Sequence, residues 1–354
     1  MSLLDHLQAR IRLDGPMSVA DYMSECLLHP EFGYYATRDP LGVQGDFITA
    51  PEISQMFGEL IGLCLAQSWL DQGRPSQFAL AELGPGRGTL MGDILRATRG
   101  VPGFHDAAQV VLLDASPTLR AVQVETLRDH APRWVDTITD LPDLPLFLVA
   151  NEFFDALPIR QFLRDGDGWR ERLIGADGDT LTFGLGAQAP QVALTHRLED
   201  TQDGDLVEIC APALPILTEV ARRITSNGGA ALIIDYGDWH SLGDTFQALR
   251  AHETADPLAH PGQADLTAHV DFEPLTRAAK AAGCAHTRLT PQGVFLERLG
   301  ITTRAQALAD ADGKARDTVI AAHRRLTHPD EMGNLFKVLG LYPSTAAPPP
   351  GLEP

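Results

Sequence analysis

Residues 79–95, Ala-Leu-Ala-Glu-Leu-Gly-Pro-Gly-Arg-Gly-Thr-Leu-Met-Gly-Asp-Ile-Leu, constrain this chain more than any other stretch, because an apolar run breaks into closely spaced glycines and then resumes helical periodicity. The pattern reads as strand, tight loop, helix. Gly84, Gly86 and Gly88 permit positive φ and a close approach of backbone to ligand, and the helix that follows opens on unpaired N–H groups. A dinucleotide fingerprint requires a glycine where this chain has Thr89, and a phosphate-cradling loop requires a Gly-Lys-Ser/Thr that is absent. Glu82 instead stands two residues before the first glycine. A carboxylate there repels a pyrophosphate and suits a ligand that carries an amino group. S-adenosylmethionine, with a ribose, an ammonium and a sulfonium but no phosphate, is such a ligand. From the glycine spacing alone an ordinary βα turn is an equal alternative.

The following sequence supports the ligand reading. Apolar runs at Phe78–Leu83, Gln109–Asp114, Trp134–Ile138, Leu146–Ala150 and Ala230–Gly237 alternate with helical patterns. Continuous apolar strands separated by helices imply a parallel sheet buried on both faces, with ligands beyond the carboxyl ends of its strands. Glu82, Asp114 and the pair Asn151 and Glu152 each occupy such an end, so they are expected to converge. Asp114 also lies at about the distance after the glycines at which an acid reaches a ribose diol.

Around this sheet the chain is expected to fall into consecutive parts. Residues 1–75 read as a helical N-terminal region, with Ser18 as an N-cap and a lid-like loop over Gly42–Pro51 that feeds a helix running on to Trp69. Residues 76–342 read as the cofactor domain, interrupted by insertions at about 165–205 and 240–270. The first carries a hairpin signal at Asp177-Gly178-Asp179 and the second is loop-rich. Thr287–Leu299 and Asn334–Leu339 are expected as the last strands, with one helix, Thr303–Leu326, between them. The Pro-rich residues 343–354 are expected to be disordered.

Composition narrows the partners. With 28 basic and 47 acidic residues the formal charge is −19, which argues against a nucleic-acid partner. Cys26, Cys64, Cys210 and Cys284 are far apart and lack C-x-x-C spacing, so free thiols in a reducing compartment are expected. The twelve histidines make no metal-binding pattern, and no metal is expected. Met1–His6 lacks the form of a secretory leader, no stretch has the length of a membrane span, and a cytoplasmic location is the expectation.

Several motifs together resemble the MidA family. They are Gly45-Asp46-Phe47 with Thr49-Ala50-Pro51-Glu52-Ile53-Ser54, then Glu82 to Leu90, Asn151-Glu152-Phe153-Phe154-Asp155-Ala156-Leu157-Pro158, Asp235-Tyr236-Gly237, and Ala264-Asp265-Leu266-Thr267 followed by Val270-Asp271-Phe272. They run in the family's order from about residue 17 to about 342. The resemblance implies a class I S-adenosylmethionine-dependent methyltransferase: an α/β, Rossmann-like seven-stranded sheet with one antiparallel strand, a helical N-terminal segment, and inserted β-hairpin and helical excursions. The family includes a mitochondrial protein arginine methyltransferase that assists assembly of respiratory complex I. By resemblance the substrate is an arginine of the 49 kDa-type subunit, converted to symmetric dimethylarginine. Asp114 stands where the family more often has Glu, and residues 251–256 diverge from its His- and Lys-rich version.

The expected cofactor-binding residues are Glu82, Gly84, Pro85, Gly86, Gly88, Thr89, Asp114, Ala115, Asp46, Phe47 and Asn151. The expected catalytic residues are Glu152, Asp155 and Asn151. A guanidinium stays protonated in proteins, and carboxylates against its fork localise charge away from the nitrogen that reacts. Phe153 and Phe154 are candidates to stack on the guanidinium plane, with at least one of them in the core. Asp235 is expected to order its loop. A small-molecule methyltransferase and a non-catalytic, cofactor-binding assembly chaperone are the alternative functions.

Overall fold

The computed structural model describes residues 2–37 and 49–354. The chain divides into two compact units, one of Met1–Phe47, Asp155–Ala213 and His240–Asp271, the other of Ile48–Phe154, Leu214–Trp239 and Phe272–Pro354. The division is thus not into consecutive segments: the N-terminal helices belong with the insertions, and residues 48–75 with the sheet. The physical reason is a shared apolar core, in which Leu3, Leu7, Tyr22 and Met23 of the first helices pack with Ile174, Phe246 and Leu266 of the inserted segments.

The second unit is built on a sheet of β1 (Phe78–Leu83), β2 (Ala108–Leu113), β3 (Arg133–Val135), β4 (Leu146–Asn151), β5 (Gly229–Asp238), β6 (Cys284–His286) and β7 (Phe336–Pro343). Their order is β6-β7-β5-β4-β1-β2-β3. Strands β1 to β5 pair in parallel, and β7 runs antiparallel to both β5 and β6. This is the class I methyltransferase architecture. Every residue of β1 and β4 is buried, as continuous apolar runs covered on both faces require. Register decides where their ends fall. Leu83 lies opposite both Leu113 and Ala150, so Gly84, Asp114 and Asn151 emerge level with one another.

Helix α1 (Gln55–Asp71) starts at Ser54, whose hydroxyl caps the Met56 N–H and breaks the expected single helix from the short turn Ala50–Ile53. Against α1 lies α2 (Thr89–Thr98), and two glycines let them approach closely. A Cβ on Gly58 would sit 2.5 Å from Asp93 Cβ, and one on Gly62 would sit 2.8 Å from Ile94 Cα. Glu59, between them in sequence, is buried and accepts from Arg96 at 2.6 Å and Arg304 at 2.6 Å. Burial pushes its carboxyl up, but the Arg304 and Arg96 guanidinia outweigh that and hold it below the usual range. Below, Trp69, Phe78 and Phe104 meet at ring centroid distances of 4.9 to 5.9 Å. Such pairs contribute about 0.5–1.5 kcal/mol each beyond their burial.

Three expectations for the C-terminal third are corrected. Of Thr287–Leu299 only Thr290–Pro291 is extended, and Gln292–Leu299 is helical, because Gln292, Phe295, Leu296 and Leu299 recur at helical spacing and pack into the core. The expected single helix is two, Ile301–Ala311 and Arg316–Thr327, interrupted where Asp312 accepts from the Lys314 N–H and closes a local turn. Residues 343–354 are ordered: Leu352 joins the main core, Cys64 Sγ bonds the Pro350 carbonyl, and Arg298 pairs with Glu353 at 2.8 Å. One buried leucine and these contacts outweigh the disordering effect of the prolines.

In the first unit, Leu3–Asp14 and Val19–Leu28 are helices capped by Ser2 and by Ser18. The expected hairpin is present as Gly168–Asp177 and Thr180–Ala189, turning at Gly178 (φ 57°), within a five-stranded sheet. The 240–270 insertion forms a three-stranded sheet of Gln247–Arg250, Glu253–Ala255 and Asp265–Thr267. Among the described residues no helix is long and apolar enough to cross a membrane. His6, Glu25 and His29 bring possible ligand atoms within 4.8 Å of one another, a cluster the sequence pattern had not suggested. Glu25 is already paired with Arg10 at 3.1 Å, and His29 Nδ1 accepts the Glu31 N–H, so the trio reads as an ion-paired helix contact.

The close crossing of α1 and α2 generates a stability prediction. Gly62→Val places its first side-chain atom against the Ile94 backbone, which cannot move aside cheaply. A loss of about 2–3 kcal/mol is expected in urea unfolding; an unchanged midpoint would show that the crossing is not tight.

Candidate cofactor and active site

The loop after β1 is shaped by backbone that only glycine adopts readily. Gly84, Gly86 and Gly88 have φ of 64°, 53° and 81°, and Gly88 is the left-handed N-cap of α2. Gly84 has a second reason to lack a side chain, since a Cβ there would lie 2.9 Å from the Phe153 ring. Pro85 and Gly88 are buried beneath the loop, and the Gly88 N–H closes it by donating to the Pro85 carbonyl at 2.7 Å.

Glu82 is 2 % exposed, and its Oε2 has no hydrogen-bond partner among the described residues. Burial, with the nearby charge of Asp114 adding to it, pushes its carboxyl up to about 8, although the Met91 N–H at the start of α2 opposes the shift. A buried, unpaired carboxylate is costly, and a ligand bringing an ammonium relieves that cost.

Asp114 is held from both sides. Its Oδ1 accepts the Ser116 N–H at 2.8 Å, and its Oδ2 accepts from Gln123 Nε2 at 2.7 Å. Burial is again the main reason its pKa is raised. Ala115 follows it, exposed, and Ser116 caps α3 (Pro117–Thr126). Gln123 was not foreseen in this site. Its signal in the sequence is a polar residue on the stripe Leu119, Gln123, Leu127 at helical i, i+4 spacing, where an apolar one is expected.

At the end of β4, Asn151 is buried and donates from Nδ2 to Glu152 Oε1 at 2.9 Å. Its Oδ1 has no partner among the described residues. Glu152 has a positive φ of 51°, unusual for a residue with a side chain, and its Oε1 also accepts the Ala50 N–H at 3.0 Å. That carboxylate therefore caps the Ala50–Ile53 turn. From the same turn Glu52 Oε1 accepts the Thr89 hydroxyl at 2.5 Å, and Glu52 Oε2 lies 3.9 Å from Arg87. Asp235 at the β5 end accepts the N–H groups of Phe153 and Phe154 at 3.2 and 2.9 Å, and so orders the loop after β4 as well as its own. Phe154 is core, 3 % exposed, whereas Phe153 is half-buried over Gly84.

Glu82, Gly84, Pro85, Gly86, Gly88, Thr89, Asp114, Ala115, Asn151 and Glu152 all belong to the second unit. Asp155 belongs to the first, where its carbonyl accepts the Ala268 N–H at 3.0 Å. Asp46 and Phe47 lie outside the described residues.

A sheet whose seven principal strands include one reversed, β7, together with a glycine loop after β1 and strand-end acids on β1 and β2, defines a class I S-adenosylmethionine-dependent methyltransferase. Residues 60–290 match the family model described as "Putative S-adenosyl-L-methionine-dependent methyltransferase". The chain belongs to this family of MidA-like enzymes and uses S-adenosylmethionine. It is 39 % identical to "Protein arginine methyltransferase NDUFAF7, mitochondrial" of Xenopus laevis, over 97 % of this chain and 84 % of that protein. The protein of the same name from Homo sapiens is 38 % identical, over 96 % and 83 % of the two chains. A crystal structure from Burkholderia thailandensis with bound S-adenosyl-homocysteine superposes with a TM-score of 0.83 at 29 % identity, covering 96 % of this chain and 91 % of that one. The expectation of a cytoplasmic location is overturned by the curated relatives, which are named mitochondrial.

The charge of Glu82 yields a pH prediction. A carboxyl raised in the folded state destabilises it fully above the folded pKa, about 8, and the penalty fades as pH falls toward the ordinary value of 4.5. Glu82→Gln in the ligand-free protein should therefore raise the melting temperature at about pH 9 and do so progressively less toward about pH 6. Parallel melting profiles for the two proteins would contradict the burial of an unpaired carboxylate.

Proposed function

We propose that this methyltransferase modifies an arginine side chain of a protein, with the 49 kDa-type subunit of respiratory complex I as substrate and symmetric dimethylarginine as product, in support of complex assembly. The arginine assignment rests on the names of the curated relatives and on one observation in this chain, the orientation of Asn151. Because its amide nitrogen donates to Glu152, the amide oxygen is left as a buried acceptor with no donor among the described residues. An acceptor of that kind suits a nitrogen that carries hydrogens, as a guanidinium does.

When bound, S-adenosylmethionine supplies an electrophilic methyl group on a sulfonium. The chain's own residues hold and align. Gly84, Pro85, Gly86 and Gly88 allow close backbone approach, Glu82 takes the ammonium, and Asp114 with Ala115 takes the ribose side. Asp46 and Phe47 are assigned to the methionine side, and Thr89 to the start of α2. Asn151 accepts an N–H of the target, which orients that nitrogen's remaining electron density toward the methyl group. Glu152 fixes the amide of Asn151, and its tie to Ala50 makes it a positioning residue. Asp155 is assigned to the guanidinium fork, where a carboxylate draws positive charge away from the nitrogen that reacts.

Transfer of labelled methyl groups to the purified subunit, followed by peptide mass analysis, tests this reading. Label on an arginine is expected. Asn151→Ala should lower turnover about 10- to 100-fold while S-adenosyl-homocysteine binding stays within about threefold. Label confined to small molecules, or no transfer by a protein that binds the cofactor product, would sink it.

A further inference from the structure

Gln123 is fully buried, and each of its side-chain polar atoms is used. Its Oε1 accepts the Trp134 indole N–H at 2.8 Å. An indole N–H can only donate, so the atom facing it must be the amide oxygen, and the orientation of the amide is determined by chemistry. The NH2 group must then face the other way. There it donates at 2.7 Å to the Gly86 carbonyl and at 2.7 Å to Asp114 Oδ2. One side chain thus joins the glycine loop after β1 to the acid at the end of β2.

The geometry points to Gln123 as a positioning residue for cofactor binding, locked by Trp134, that fixes the Asp114 carboxylate and the Gly86 backbone in their ligand-ready arrangement. The inference rests on the assignment of Asp114 to the ribose. With Oδ1 held by the Ser116 N–H and Oδ2 by Gln123, the carboxylate cannot turn about its Cβ–Cγ bond without losing a bond. The lone pairs that remain have fixed directions. Arg120 braces the same corner from below, donating to the Asp114 carbonyl at 2.5 and 2.8 Å, to the Val135 carbonyl at 3.2 Å and to Asp136 at 2.7 Å. Side-chain rotation and loop drift are therefore suppressed before ligand arrives, so less ordering is left for binding to bring about.

The test is calorimetric binding of S-adenosyl-homocysteine, combined with steady-state kinetics in S-adenosylmethionine. Gln123→Met, close in size and without donors, should weaken binding about 10- to 100-fold. The KM for the cofactor should rise with it, while kcat at saturating cofactor stays within about twofold. Trp134→Phe leaves Gln123 in place but removes the group that orients it, and a smaller loss of about 3- to 10-fold is expected. Asp114→Ala alone should abolish most of the ribose contribution. If Gln123 acts through Asp114 as well as Gly86, the double variant Gln123→Met/Asp114→Ala should bind worse than Asp114→Ala alone by clearly less than the loss Gln123→Met causes by itself.

Additive losses in that cycle, or a lower kcat at saturating cofactor with unchanged affinity, would overturn the inference and leave the site assignment standing. Wild-type protein that binds no S-adenosyl-homocysteine would overturn both. Should Gln123→Met fail to fold, Gln123→Glu keeps the acceptor for Trp134 and reverses the other face of the side chain, so affinity must still fall; unchanged affinity there would also overturn the inference.

Discussion

Everything at the site depends on one alignment: Leu83 opposite Leu113 on one side and Ala150 on the other. A strand slipped by one residue would turn its whole set of side chains to the other face of the sheet. Held as it is, the register delivers Gly84, Asp114 and Asn151 to one level at the carboxyl edge. The burial of β1 and β4 on both faces makes that register costly to change, because neither strand has a solvent face to which apolar residues could turn. The aromatic cluster of Trp69, Phe78 and Phe104 packs at the start of β1, away from its site end, while the tight crossing at Gly58 and Gly62 fixes the first turns of α2 directly after the glycine loop.

Placing acids at that edge stores an electrostatic cost. Glu82 and Asp114 are both buried, and both carboxyls are pushed up mainly by the loss of water. Glu59 shows what the same fold does with a buried acid that needs no ligand: two guanidinia surround it, and its carboxyl is held down instead. The contrast separates an acid satisfied by its own chain from one left to be satisfied by something else. Asn151 belongs with the second kind, its amide oxygen lacking a donor among the described residues.

Much of this was legible in the sequence, and the reasons are specific. Strands β1, β2, β4 and β5 are mostly apolar and carry Glu82, Asp114, Asn151 or Asp235 at or near their carboxyl ends, so the strands and the candidate residues beside them could be read by eye. The short strand Cys284–His286 carries no such pattern, and the helical spacing of Gln292, Phe295, Leu296 and Leu299 spans only two turns, so neither element stands out in the sequence. Side-chain partnerships were harder still. Nothing in the order of residues says that Glu152 reaches back about a hundred positions to the Ala50 N–H, or that Gln123 turns inward to Gly86. The division into two units was hidden for a similar reason, since it depends on which apolar faces find one another across distant segments.

The turn Ala50–Ile53 is hydrogen-bonded at both of its ends, to Glu152 beside Asn151 through its first N–H and to Thr89 beside the glycine loop through Glu52. Four residues thereby connect the strand end assigned to the substrate with the helix start assigned to the cofactor. Binding free energies at two connected positions are reciprocal. Any ligand at Asn151 that shifted this turn would alter affinity at the glycine loop by some factor, and a ligand in the loop would alter affinity at Asn151 by that same factor. A turn this short leaves little slack for the two ends to respond independently, so filling either position would pre-arrange the other, whichever ligand arrives first.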